Sequence, residues 1–178
     1  CQAVHWYRQA AAQGNANAQC NLGQCYEQGK GVSRDYLQAA AWYRKAADQG
    51  NAKALCALAI CFSTGMGVFL DYSKAFALFQ SAANKGDADA HCNLGLCYKK
   101  GQGVLQDHTK AVKHYAIAAN RGVPIAQYNL GRAYRDGLMG VVVSSEDAHK
   151  WFTKAADQGY ERARKALVLL KRQSSNHF

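Results

Sequence analysis

The sequence predicts an all-α chain built from one helical pair written in tandem. Three observations predict it: a fixed period, apolar spacing of helical type within each period, and glycines that punctuate the period. Ala18, Ala54, Ala90 and Ala126 recur every 36 residues, and Ala163 follows 37 residues later because one residue is inserted near Leu138–Met139. A period of this size marks a stacked array, in which no unit can bury its apolar face without its neighbours. In the copy from Asp87 to Gly122, Ala90, Leu94, Cys97 and Tyr98 fall on one helical face, and Ala111, Tyr115, Ala118 and Ala119 fall on another. Strand-type alternation is absent, and the abundance of alanine suits helix far better than sheet.

Each helix of the pair carries its own start and stop. Asn15, Asn51 and Asp87 stand in register at the start of the first helix, where a side-chain oxygen can accept from free backbone N–H groups. The fourth copy has Val123, which cannot cap, followed by Pro124, whose fixed φ suits a first helical turn. The second helix starts at Asp35, Asp71, Asp107 and Ser144 and stops at Gly50, Gly86, Gly122 and Gly159. Between the helices lies G-x-G-V, as Gly29-Lys30-Gly31-Val32, Gly65-Met66-Gly67-Val68 and Gly101-Gln102-Gly103-Val104, with Gly137-Leu138-Met139-Gly140-Val141 in the fourth copy. Its glycines permit the positive φ of a tight reversal. They do not read as a phosphate loop, because no strand precedes them and no Gly-Lys-Ser/Thr follows.

These residues resemble the Sel1-like repeat. Leu22-Gly23-Gln24-Cys25-Tyr26, Gly29, Gly31-Val32, Asp35, Trp42-Tyr43, Lys45-Ala46-Ala47 and Gly50 carry the resemblance in the first complete copy, and it recurs four times over nearly the whole chain. Departures are local: Ala59 replaces the glycine of L-G, Leu78 and His114 replace the tryptophan of W-Y, and Ser144 replaces the aspartate. The resemblance implies a right-handed α/α superhelical solenoid, related to tetratricopeptide arrays, and adaptor or scaffold work without catalysis. Four complete pairs are expected at 15–50, 51–86, 87–122 and 123–159, within one domain over 1–178. Residues 1–14 read as a second helix without its first, as in a piece cut from a longer protein. Residues 160–172 read as a capping helix and 173–178 as a frayed tail. Trp6, Trp42, Trp151, Tyr43, Phe79, Tyr115 and Phe152 are expected to form an aromatic ladder in the seams.

Composition narrows the function classes. The chain is 49% hydrophobic with a single proline, as in an ordered array, and its longest apolar stretch, Ala54–Phe62, is too short to span a bilayer. Its net charge of +10 is spread over the copies, and the one local excess is Arg162, Arg164, Lys165, Lys171 and Arg172, which reads as a solvated face. A basic surface favours acidic partners, while nucleic-acid binding asks for a concentrated stripe with interleaved exposed aromatics.

Six of the seven cysteines form pairs five apart: Cys20/Cys25, Cys56/Cys61 and Cys92/Cys97. On a helix that spacing is about 7.5 Å of rise and about 140° of rotation, which excludes intra-helix bridges. Secreted bacterial members of the resembled family clamp each repeat through a cysteine late in the second helix, and this chain has Ala47, Ala83, Ala119 and Ala156 there. The odd count and the missing clamp point to reduced thiols and an intracellular setting. Neither C-x-x-C nor H-x-x-x-H occurs, and no nucleophile has a base in view, so no metal, cofactor or catalytic residue is expected.

In solenoids of this kind the first helices line the concave face, and the partner site is expected there. Reading down the copies gives Asn17 and Lys53; Cys20, Cys56, Cys92 and Tyr128; Gln24, Ile60, Leu96 and Arg132; and Lys100, with His91 beside them. Asn21, Asn93 and Asn129 recur in one column, where they either hold an extended peptide by its backbone or satisfy neighbouring helix ends. Ile60, Leu96 and Tyr128 form an expected apolar strip. The expected partner is a peptide or helix of another protein, of acidic character. Nucleic acid is the alternative, and self-association through the N-terminal half repeat is a third reading.

Overall fold

Asparagine and aspartate side chains begin the helices at the expected positions. Asn15, Asn51 and Asp87 accept from the backbone N–H of Ala18, Ala54 and Ala90 at 2.9, 2.9 and 2.7 Å. Asp35, Asp71 and Asp107 accept from Gln38, Lys74 and Lys110 at 3.0, 2.9 and 2.8 Å, and Ser144 accepts from Asp147 at 3.1 Å. Val123 makes no such bond, and Pro124 opens the helix that follows it. Each cap satisfies a backbone donor that the first helical turn leaves without a partner.

The computed structural model describes residues 2–175, apart from the side chains of Met139 and 172–175; Cys1 and the tail residues 176–178 lie outside that description. Among the described residues there are ten α-helices and no strand. The half pair is α1 (Gln2–Ala12). Four pairs follow: α2 (Ala16–Gln28) with α3 (Tyr36–Asp48), α4 (Ala52–Thr64) with α5 (Tyr72–Asn84), α6 (Ala88–Lys100) with α7 (His108–Asn120), and α8 (Pro124–Asp136) with α9 (Ser145–Asp157). The inserted residue of the fourth pair is taken up by a 3-10 turn at Leu138–Gly140. The last helix, α10 (Glu161–Ser175), runs past the expected end at 172. No helix among the described residues is long and apolar enough to cross a membrane.

The chain divides into two compact units, Cys1–Ala90 with Gln102–Val104 and His91–Gly101 with Leu105–Phe178. The boundary falls inside α6, one turn into the third pair, rather than between pairs.

One backbone bond closes every loop. The N–H of Asp35, Asp71, Asp107 and Ser144 donates to the carbonyl of Tyr26, Phe62, Tyr98 and Tyr134 at 3.0, 2.9, 2.9 and 3.0 Å. Gly67 shows why the second glycine of G-x-G recurs. Its φ is +71°, and a Cβ there would lie 2.0 Å from the carbonyl oxygen of Tyr36, so this loop rests directly on the start of α3.

Within each unit the second helix delivers one large ring into its own pair. Tyr43 and Phe79 are fully buried in the first unit, as are Tyr115 and Phe152 in the second. The aromatic ladder is therefore narrower than the sequence suggests. Trp151 is buried and Trp42 half-buried, whereas Trp6 is 60% exposed and meets the edge of His5 with ring centroids 5.6 Å apart.

Two buried glutamines add a seam that the periodicity does not reveal. Gln19 donates to the carbonyl of Ala11 at 3.2 Å and accepts from Gln49 at 2.7 Å, joining α1, α2 and α3. Gln127 repeats the arrangement in the second unit, donating to Ala119 at 3.1 Å and accepting from Gln158 at 2.9 Å. The intervening copies have Leu55 and His91 in place of the buried glutamine, and Lys85 and Arg121 in place of its partner.

Candidate functional site

The first helices present the expected columns, with two corrections. Cys56 is only 5% exposed and packs as a small apolar residue, unlike Cys20 and Cys92, which are half-buried in the same column. Tyr128 is not part of an open strip. Its ring lies 5.7 Å from Phe152 and 5.4 Å from Tyr160, within the apolar cluster of α9 and α10.

In the first unit, Asn21 and Gln24 line a groove of about 270 Å³ together with Val4 and Tyr7 of α1. Asn17 accepts from Asn51, the cap of α4, at 2.8 Å, so this asparagine satisfies the neighbouring helix start. Lys53 is close enough to Cys20 to oppose the upward push that burial exerts on that thiol. It also opposes the rise at Asp89, where burial dominates and Asp87 adds to it. Ile60 is 37% exposed on α4.

In the second unit, Leu96 is 36% exposed, one turn before Lys100 on the same side of α6. Burial lowers the affinity of Lys99 for its proton, and Arg132 and Lys100 lower it further, so these three cations share one locality. Asn93 and Asn129 are half-buried. His91 and His114 face each other with their Nδ1 atoms 3.1 Å apart, and the His114 ring stacks on Tyr98 at 5.4 Å and 17°. Burial pushes the His114 imidazole below its usual range, and His91 pushes it further. Among the described residues no three His, Cys, Asp or Glu side chains converge as metal ligands would.

A second feature escapes the columns altogether. The loops between paired helices hold apolar side chains out in water: Phe69 and Leu70 in the second pair, Leu105 in the third, Val142 and Val143 in the fourth. In the first unit Phe69 and Leu70 border an open groove of about 1270 Å³. Its signal in the sequence is an apolar pair between G-x-G-V and the capping aspartate, where the first pair has Ser33-Arg34.

The Sel1 repeat family model matches residues 2–15, 16–51, 52–87, 88–123 and 124–160. The chain belongs to the Sel1 repeat family. Among solved structures it is similar to a Sel1 repeat protein from Oxalobacter formigenes, at 37% identity and a TM-score of 0.86, over 92% of this chain and 65% of that one. It is also similar to c5321, described as a protective antigen of uropathogenic Escherichia coli displaying the same fold, at 35% identity and a TM-score of 0.76, over 94% of this chain and 36% of that one. A putative Sel1 repeat protein from Klebsiella pneumoniae matches at 25% identity and a TM-score of 0.63, over 94% of this chain and 83% of that one. The chain thus spans 65% and 36% of the length of the first two. No curated protein matches it. Sel1 repeat proteins are in general protein-interaction scaffolds without catalysis.

Proposed function

We propose that this Sel1 repeat chain is a non-catalytic adaptor whose first-helix face holds a peptide or helix of another protein. One column carries the reading. Gln24, Ile60, Leu96 and Arg132 occupy the same repeat position, and none of the four is buried. Their partners in register on the second helices, Tyr43, Phe79, Tyr115 and Phe152, are all buried rings. The fold therefore fixes the second-helix position and leaves the first-helix position free to vary in size and charge, as a binding surface requires.

The second unit supports an acidic partner. Leu96 offers an apolar anchor, and Lys99, Lys100 and Arg132 crowd positive charge near it. A partner carboxylate entering there relieves that crowding and speeds encounter.

The test is affinity capture from a lysate of the source organism with the wild-type chain beside an Ile60→Lys, Leu96→Lys variant of unchanged circular dichroism. One defined protein captured by the wild type and lost from the variant is the expected result. Equal capture by both sinks the assignment to this face, and recovery of RNA alone replaces the reading with nucleic-acid binding, whose affinity would fall steeply with salt.

A further inference from the structure

The loop edge of the first unit carries an apolar groove that the first-helix face does not explain. At about 1270 Å³ it exceeds the roughly 300–1,000 Å³ of pockets that enclose small molecules. Leu37, Phe62, Phe69, Leu70 and Leu78 supply its walls. Phe69 is 97% exposed, so its ring contributes nothing to the core, and covering it would remove that apolar surface from water. The groove is also held in shape. Gly67 seats the loop of the second pair on the Tyr36 carbonyl, where no side chain would fit.

Charge selects the occupant. Asp35 and Asp71 border the groove, but Asp35 caps α3 and Asp71 both caps α5 and pairs with Lys74 at 3.0 Å. Arg34 and Arg44 also border it, and among the described residues neither reaches a carboxylate at ion-pair distance. They lie instead against ring faces, 5.5 Å from Tyr36 and 5.8 Å from Phe62. A guanidinium placed this way keeps its N–H fork available to a carboxylate. We propose that this groove docks a linear segment of a partner protein that carries bulky apolar side chains flanked by Asp or Glu. A second copy of the chain fits less well, because 22 Lys and Arg against 12 Asp and Glu make the copies repel. Apolar walls likewise disfavour a phosphate backbone.

The experiment is display of random 12-residue peptides on the intact chain, followed by fluorescence anisotropy of those recovered. The expected peptides combine aromatic or large aliphatic residues with Asp or Glu. Phe69→Ser and Arg44→Glu each weaken them at least tenfold, while Leu96→Lys leaves them within about twofold. Both substituted side chains are exposed, so circular dichroism stays unchanged. The proposal is overturned if no peptide is recovered, if those recovered are basic or uncharged, or if binding survives both groove substitutions. Loss with Leu96→Lys alone moves the peptides to the first-helix face and also overturns it. A dimer in sedimentation that Phe69→Ser abolishes makes a second copy the occupant, against the proposal.

Discussion

Gly23 lies flat against the ring of Tyr43: a Cβ on Gly23 would stand 2.7 Å from the Cδ1 and Cε1 atoms of that ring. The same contact recurs between Gly95 and Tyr115 at 2.8 Å and between Gly131 and Phe152 at 2.7 Å. The glycine of L-G is therefore a packing residue rather than a hinge, and it sets how closely the two helices of a pair approach. Gly95→Ala and Gly131→Ala should each destabilise the chain by about 1–3 kcal/mol, the usual cost of overfilling a packed core. Urea unfolding read by circular dichroism checks this, and wild-type midpoints for both variants would contradict it.

Each buried glutamine is coupled to the glutamine that donates to it, Gln19 to Gln49 and Gln127 to Gln158. Gln127→Ala removes two hydrogen bonds at about 0.5–1.5 kcal/mol each, although the Ala119 carbonyl keeps the Gly122 N–H and the Gln158 amide keeps the Lys154 carbonyl. Leu55 with Lys85 shows the combination that another copy uses. Gln127→Leu with Gln158→Lys should therefore cost less than the sum of the single changes by about 0.5 kcal/mol or more. Simple additivity in a double-mutant cycle would refute the coupling.

Alkali should destabilise the array through its buried thiols and phenols. Burial pushes the thiols of Cys61 and Cys97 from the usual 9.0 up to about 11. Burial also raises the phenols of Tyr43 and Tyr115, and at Tyr43 the 2.6 Å hydrogen bond donated to Glu27 raises it further. A raised folded-state value means the stabilisation is complete below about pH 9 and disappears as pH rises through 11. The urea midpoint should fall steadily between pH 8.5 and 11, and Cys61 and Cys97 should label slowly with a thiol reagent at pH 8.

Acid should loosen the second unit through His114. Its pKa is depressed by burial first and by His91 second, so its contribution is present above the usual imidazole value of 6.5 and is lost as pH falls below it. Protonation would place a cation beside His91 and against the ring of Tyr98, from whose centroid Lys110 already lies 5.5 Å away. His114→Trp installs the residue found as Trp42 and Trp151 in the first and fourth pairs and should flatten the dependence of Tm on pH between 7 and 5. An unchanged slope in that variant would assign the acid sensitivity elsewhere.

The fold was legible because its signals are local and repeated. Caps at Asn15, Asp35 and their equivalents, glycine stops and the 36-residue period each act within one turn or one pair, and all agree. Burial was less legible, because a repeat column fixes the direction of a side chain and not what neighbouring pairs lay over it. Cys56 is covered where Cys20 is half-open, and Trp6 stands in water where Trp42 packs against the cluster of Val4, Ala18 and Leu22. The glutamine seam and the Phe69 groove escaped for a related reason. Both reach from one pair to its neighbour, as Gln19 does to Ala11, and one copy read alone contains only half of that contact.

The adaptor reading turns on what touches the variable column of the first helices. A photo-crosslinking residue placed at position 96 in the full chain, irradiated in a lysate and mapped by mass spectrometry, tests this most directly. The account predicts one protein joined through a single apolar segment that is rich in Asp or Glu, with no product when the crosslinker is moved to the exposed loop position 105. Diffuse labelling of many proteins at position 96, or equal labelling from both positions, would contradict it.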